Sequence, residues 1–217
     1  MTLLELARGP LLQASLIILV AGVIWRLTAL VILPYGRDHS EPRSRNLLGG
    51  AVYTILRRLW PHREFQSRVL FAYVMGYISH IGLALVVLGY RPHILFIRDL
   101  TGVSWPALPN PAVYVIGAIT LAAFIALLIR RLGNGVLRLL SSADDYFSWL
   151  VTVLPLVTGY LATAHLGARY ETLLAVHLLS VELFLIWLPF GKLMHAFTFV
   201  LSRGFLGART ARKGAGA

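Results

Sequence analysis

The chain has 217 residues, of which 58% are hydrophobic and 13% are charged, and it contains no cysteine. A chain so apolar at this length is typical of an integral membrane protein and not of a soluble domain. The lack of cysteine excludes disulfides, iron–sulfur ligation by this chain and covalent haem attachment through a C-x-x-C-H motif. The net charge of +11 does not call for a nucleic-acid partner, because basic residues gather in the cytoplasmic loops of membrane proteins.

Five apolar segments are long enough to cross a bilayer, for which about 20 apolar residues are needed. They cover approximately residues 11–33, 69–91, 111–130, 146–167 and 172–200. We therefore predict an all-α protein with five transmembrane helices in a single membrane domain, residues 1–217, located in the plasma (inner) membrane. Between the first two segments, residues 47–60 have the spacing of a short amphipathic helix. It is expected to lie on the inner membrane surface or to form a platform for a cytoplasmic subunit.

The distribution of basic residues predicts the orientation. The loop 34–68 contains seven arginines: Arg37, Arg43, Arg45, Arg57, Arg58, Arg63 and Arg68. The loop 131–145 and the C-terminal tail are also basic, whereas the other two connections are not. The N-terminus is then expected outside and the C-terminus in the cytoplasm, with the second helix running outward and the fifth inward. The Gly/Ala/Arg-rich tail after Arg203 is expected to be disordered, or ordered only by a partner.

Four histidines in and near the second and fifth segments are the candidate ligands. His80 lies inside the second segment and His93 just after it, while His177 and His195 are eighteen residues apart in the fifth. Eighteen residues equal five helical turns, so a continuous fifth helix presents both rings on one face. The orientation pairs His80 with His195 on the inner side and His93 with His177 on the outer side. Since b-type haem iron takes two axial histidines, we predict two haems between the helices, each iron bound by one pair.

A glycine precedes each inner ligand by four residues. Gly76 stands before His80 and Gly191 before His195, which on a helix places each glycine one turn away on the ligand's face. The glycines predict room for a flat macrocycle, although close helix packing is the alternative explanation.

Two stretches of sequence resemble a known family. They are Ser79-His80-Ile81-Gly82-Leu83 in the second segment and, in the fifth, Val176-His177-Leu178 together with Pro189-Phe190-Gly191-Lys192-Leu193-Met194-His195. They resemble the cytochrome b (gamma) subunit of respiratory nitrate reductase and related membrane subunits of sulfate-reducer and heterodisulfide-reductase-type complexes. The resemblance covers the five-helix layout and is sharpest in the second and fifth helices.

The resemblance implies a membrane-anchoring b-type cytochrome subunit of a respiratory oxidoreductase. Such a subunit transfers electrons between the quinol/quinone pool and an iron–sulfur partner subunit, here expected on the cytoplasmic side, and the active site for the terminal substrate lies outside this chain. The chain departs from the nitrate reductase pattern at Tyr90, where the family has a second histidine ten residues after His80. His93 is expected to substitute for it.

Other polar residues lie in or beside the apolar segments. Glu182 inside the fifth segment and His165 near the outer end of the fourth are candidates for a quinone or proton site, because intramembrane ionisable groups are costly to keep. Glu182 could instead pair with Arg26 of the first segment. Asp144 and Asp145 precede the fourth segment and are expected to cap its N-terminus together with neighbouring serines.

Three alternative functions remain open. The chain could bind only the inner haem, or it could be a haem-free membrane anchor. A histidine-lined metal transporter is a further alternative, but the sequence lacks the internal repeats and interrupted helices that are typical of transporters.

Overall fold

The computed structural model describes residues 2–33 and 41–215, and within these ranges every regular element is helical. We number the nine helices as follows: α1 Leu3–Ile32, α2 Leu47–Arg57, α3 Gln66–Gly89, α4 Arg91–Thr101, α5 Asn110–Gly133, α6 Gly135–Leu139, α7 Ala143–Ala164, α8 Tyr170–Trp187 and α9 His195–Arg212. They form two compact units, one from Met1–His62 with Ala143–Ala217 and the other from Arg63–Ser142. Arg37, counted above among the loop arginines, lies outside the described residues.

Five of these helical segments are long and apolar enough to cross a membrane, as predicted. They are Leu3–Ile32, Arg63–Gly89, Asn110–Gly133, Ala143–Ala164 and Tyr170–Trp187. Large apolar side chains project outward from them, for example Ile17, Val31 and Ile129. Such surfaces are stable against lipid, whereas a helix that is apolar on every side would be a liability in water.

The first helix begins earlier than its apolar run. Thr2 and Glu5 form a capping box, in which the Thr2 backbone N–H donates to Glu5 Oε2 at 2.8 Å and the Glu5 N–H donates to Thr2 Oγ1 at 3.2 Å. Helix α1 then passes through a π-helical turn at Ala7–Leu11, where Gly9 departs from helical geometry next to Pro10. This cap supplies partners for backbone N–H groups that hydropathy alone does not reveal.

The prediction of one continuous helix over residues 172–200 is wrong. Helix α8 ends at Trp187, a short 3₁₀ turn covers Lys192–Met194, and α9 begins at His195. Pro189 explains the break, because proline lacks the N–H that the helix needs and its ring clashes with the carbonyl four residues earlier. Gly191 follows in an extended conformation, with φ −90° and ψ −174°. His177 and His195 therefore belong to different helices.

The prediction of a disordered tail is also wrong within the described residues. The segment after Arg203 continues α9 as far as Arg212, and α9 packs against α2. The packing offsets the low helix propensity of glycine, so tertiary contacts and not local sequence stabilise this helix.

In the unit Arg63–Ser142, α3 packs against α5. The two backbones approach closely at Gly82, since a Cβ there would overlap the Thr120 hydroxyl and lie 3.1 Å from Thr120 Cβ. A small residue at such a crossing is typical of helix packing in membranes. The connection after α4 returns to α3, where the Trp105 indole donates to the Leu88 carbonyl at 2.6 Å.

Candidate functional site

His80 lies on α3 with its ring anchored to its own helix. Its Nδ1 is 2.7 Å from the carbonyl oxygen of Gly76, one turn earlier. A carbonyl can only accept, so Nδ1 carries the proton, and in the neutral ring Nε2 then bears the lone pair that binds a metal. Among the described residues, no atom comes within 4 Å of a Cβ built on Gly76, so close helix packing does not account for this glycine.

His195 begins α9 and is anchored in the same manner. Its Nδ1 is 2.8 Å from the carbonyl oxygen of Lys192, which again assigns the proton to Nδ1 and the lone pair to Nε2. The role expected for Gly191 is wrong, because this glycine is not on a shared helical face with His195. A Cβ on Gly191 would lie 2.8 Å from Cε2 of Trp187, so the glycine makes room for that indole.

A polar network secures the turn that carries His195. Lys192 Nζ pairs with Asp145 Oδ2 at 2.5 Å, and the Lys192 backbone N–H donates to Asp144 Oδ1 at 3.4 Å. The Ser148 hydroxyl donates to Asp144 Oδ1 at 2.8 Å and accepts from the Trp187 indole at 2.9 Å. Both aspartates thus connect the start of α7 to the break between α8 and α9.

The sequence predicted only a capping role for the two aspartates and did not predict this tertiary contact. Ser141, one of the serines expected to help them, accepts a hydrogen bond from Arg131 at 2.9 Å and donates to Leu137 O at 2.7 Å. The sequence signal that was available is Lys192, one of only two lysines in the chain, in a segment that hydropathy assigned to a membrane span.

His177 on α8 is anchored to the neighbouring helix α7. Its Nδ1 is 3.2 Å from Thr158 Oγ1, and the Thr158 hydroxyl donates to the Leu154 carbonyl at 2.8 Å. With its own proton on the Leu154 carbonyl, the threonine oxygen can accept the Nδ1 proton of His177, which is the tautomer that keeps the lone pair on Nε2. A Cβ on Gly159 would lie 3.3 Å from Cε1 of His177, so this glycine gives the ring its room. Sequence reasoning missed Thr158, whose only signal is a hydroxyl in an apolar helix.

His93 does not extend α3. That helix ends at Gly89, and His93 lies in the first turn of α4, after Pro92. Its Nδ1 is 3.3 Å from the Val86 carbonyl in the last turn of α3, and its ring meets the Tyr90 ring edge-on at 5.3 Å between centroids. Burial lowers the pKa of His93 below its usual value, which favours the neutral, metal-binding imidazole near pH 7.

Glu182 is a buried ionisable group of α8. Its side chain is 4% exposed, and no hydrogen-bond partner of Oε1 is found in the part of the chain that the structure describes. Ser180, two residues earlier and so nearly opposite on the helix, lies 2.9 Å from Thr158 of α7. Glu182 is thus on the side away from α7.

The pairing of Glu182 with Arg26 is not formed among the described residues, and Arg26 is exposed on α1. His165 lies in the turn immediately after α7, with φ +53° and its ring 5.1 Å from that of Tyr170. It is exposed and stands apart from the other candidates in sequence and in local structure.

The two units share the four candidate ligands equally. His80 and His93 belong to Arg63–Ser142, and His177 and His195 belong to the other unit. In all four rings Nδ1 lies beside a protein oxygen, a backbone carbonyl in three rings and a hydroxyl in the fourth. Metal-binding histidines in proteins show this arrangement, because the partner of one nitrogen orients the ring and directs the other nitrogen to the metal.

The chain is similar to one curated protein along almost its whole length. A protein of Nitratidesulfovibrio vulgaris (strain Hildenborough), named only "Protein", is 36% identical over 214 residues, which cover 96% of this chain and 94% of the relative. No family model matches the chain, and no solved structure matches it either.

Proposed function

The chain belongs to the same family as the Nitratidesulfovibrio vulgaris protein, and we propose that it is the membrane-anchoring b-type cytochrome subunit of a respiratory oxidoreductase. In this proposal it transfers electrons between the quinol/quinone pool and an iron–sulfur partner subunit on the cytoplasmic side of the plasma membrane. The observation that carries the proposal is the shared anchoring of the four imidazoles through Nδ1. A second support is that the chain has five helices able to cross a bilayer.

The proposed haem ligands are His80, His93, His177 and His195, each through Nε2. Haem b carries one electron at a time, so two such groups would let the subunit pass the two electrons of a quinol singly to a one-electron partner. The protein's part is to fix each ring. The carbonyls of Gly76 and Lys192 and the hydroxyl of Thr158 do this, and they also raise the basicity of the ligating nitrogen.

Glu182 and His165 are the proposed proton or quinone residues. Oε1 of Glu182 could accept and release a proton, because it is buried without a hydrogen-bond partner among the described residues. The exposed ring of His165, at the end of a membrane-crossing helix, could donate a hydrogen bond to a quinone carbonyl at the membrane surface.

The test is the haem content of the purified protein and of single histidine variants. A reduced-minus-oxidised spectrum identifies b-type haem, and pyridine haemochrome counts it per chain. We expect two haems in the wild type and about one after replacement of any single ligand with alanine. His62→Ala is the control, since His62 is exposed in the segment after α2 and should leave the count unchanged.

The same measurement decides between two and one haem. His93 lies in α4 and not in the long helix of His80, which is the observation in favour of a single inner haem. One haem that survives His93→Ala and His177→Ala would replace the two-haem proposal by that alternative. A wild type without b-type haem, after growth with ample haem supply, would overturn the proposal.

A further inference from the structure

Helices α2 and α9 form a closely packed pair, although they lie about 150 residues apart in the chain. A Cβ on Gly207 of α9 would overlap the Gly50 carbonyl and lie 2.6 Å from Thr54 Oγ1, and a Cβ on Gly50 would lie 2.8 Å from the Gly207 carbonyl. The Arg43 N–H donates to the Arg212 carbonyl at 2.8 Å. The segment before α2 is therefore bound to the end of α9, and the pair acts as one structural element.

The pair leaves a row of large apolar side chains uncovered. Leu48, Val52 and Leu56 follow one another at intervals of four residues on one face of α2, and Leu59 follows in the turn after the helix. They are 78%, 48%, 62% and 42% exposed. Thr54, which faces α9, is fully buried, so the apolar row and the α9 contact occupy different sides of α2.

The charges around this row are mainly basic, although Glu41 and Glu64 flank the arginine-rich stretch. Residues 42–63 contain five arginines and no acidic residue, and residues 183–217 contain three arginines, two lysines and no acidic residue. On α9 the guanidinium of Arg203 lies 5.8 Å from the centre of the Phe199 ring, and that of Arg209 lies 5.7 Å from the centre of the Phe205 ring. Apolar rings with cations beside them match the layer in which acyl chains meet phosphate groups.

The chain also keeps this pair near the bilayer. Helix α8, which is able to cross the membrane, ends at Trp187, and α9 begins at His195. The seven residues between them span at most about 25 Å when extended, and the 3₁₀ turn shortens this reach. α9 therefore begins close to one membrane surface, and α2 accompanies it.

We propose that the α2–α9 pair lies in the headgroup layer of an anionic leaflet. Leu48, Val52, Leu56 and Leu59 insert among the acyl chains, and the surrounding arginines bind the phosphates of anionic phospholipids. The excess of arginine over acidic residues around the row favours lipid phosphate, because anionic headgroups attract clustered basic side chains. This inference does not depend on haem binding.

The lack of cysteine makes a direct test practical. A single cysteine with a nitroxide spin label is introduced into the full-length protein at Leu56→Cys, in nanodiscs of phosphatidylcholine with or without phosphatidylglycerol. Collision of the label with oxygen reports lipid, and collision with a water-soluble nickel chelate reports water. Ile17→Cys on the outside of α1 is the lipid reference, and Glu41→Cys, exposed before α2, is the water reference.

We expect the label at residue 56 to collide with oxygen and with the nickel chelate as the lipid reference does. The match to the lipid reference should be closer when phosphatidylglycerol is present. Replacement of Arg57 and Arg58 with glutamine should reduce the preference for the anionic lipid by up to about five-fold per arginine. A label at residue 56 that behaves like the water reference in both lipids overturns the proposal, and the apolar row would then be assigned to a protein partner. Equal immersion in both lipids, unchanged in the arginine variant, overturns the role of the anionic phosphates.

Discussion

Replacement of Gly82 by alanine tests the closest approach in the unit Arg63–Ser142. The new methyl group would overlap the Thr120 hydroxyl and lie 3.1 Å from Thr120 Cβ. Thr120 is fully buried, and its hydroxyl donates to the Ile116 carbonyl of its own helix at 2.7 Å. Because the Thr120 side chain is short and held by this hydrogen bond, the overlap is relieved by an increase in the distance between α3 and α5.

The expected cost follows from this overlap. One extra carbon in a well-packed contact typically destabilises a protein by about 1–3 kcal/mol. For a chain of this size, each kcal/mol lowers the melting midpoint by about 2–4 °C. We therefore expect a midpoint about 2–12 °C lower, measured in detergent by intrinsic tryptophan fluorescence.

The control is Gly133→Ala at the end of α5. Among the described residues no atom lies within 4 Å of a Cβ at that position, so this change should be neutral or slightly stabilising through helix propensity. Thr120→Ala removes the overlapping hydroxyl and should restore part of the loss in the Gly82→Ala background, with a coupling of about 0.5–3 kcal/mol. If the Gly82→Ala and Gly133→Ala variants have the same melting midpoint, the close contact of α3 and α5 at Thr120 is refuted.

Two further predictions concern the supports of the candidate ligands. Thr158→Val removes the oxygen next to His177 Nδ1 and should weaken haem retention about 10–100-fold, measured as haem transfer to apomyoglobin. Thr163→Val on the same helix is the control and should leave haem retention unchanged. Equal haem retention in the two variants would show that Thr158 does not support His177. Asp145→Asn neutralises the partner of Lys192; the Lys192 side chain is 52% exposed and that of Asp145 is 12% exposed, so the cost should be about 1 kcal/mol. Its effect on the melting midpoint should shrink as salt is added, and a loss that salt does not change would contradict an ion pair.

Hydropathy predicted the membrane-crossing helices well, for a physical reason. Lipid offers no hydrogen bonds, so a long apolar run has to satisfy its own backbone and forms a helix. The same signal was misleading around Pro189, where apolar residues continue although the helix does not. The proline and the following Gly191 were visible in the sequence, and a stricter reading of helix-breaking residues would have separated His177 from His195.

The anchors of the candidate ligands were only partly predictable. The Gly76 carbonyl lies one turn before His80 on the same helix, so helical geometry alone brings the two together. The contact between Thr158 and His177 joins two helices, and its register depends on packing that a single sequence does not specify. The Lys192–Asp145 pair joins residues 47 apart and was hidden for the same reason.

The pairing of α2 with α9 has a consequence for synthesis on the ribosome. The α2 sequence is finished by residue 57, but its partner is complete only at residue 212. At a translation rate of about 5–20 residues per second, α9 is completed roughly 10–30 s after α2, and the glycine face of α2 has no partner during this time. The whole unit Arg63–Ser142 is made during this interval, so it can be inserted while the unit that surrounds it in sequence is still incomplete.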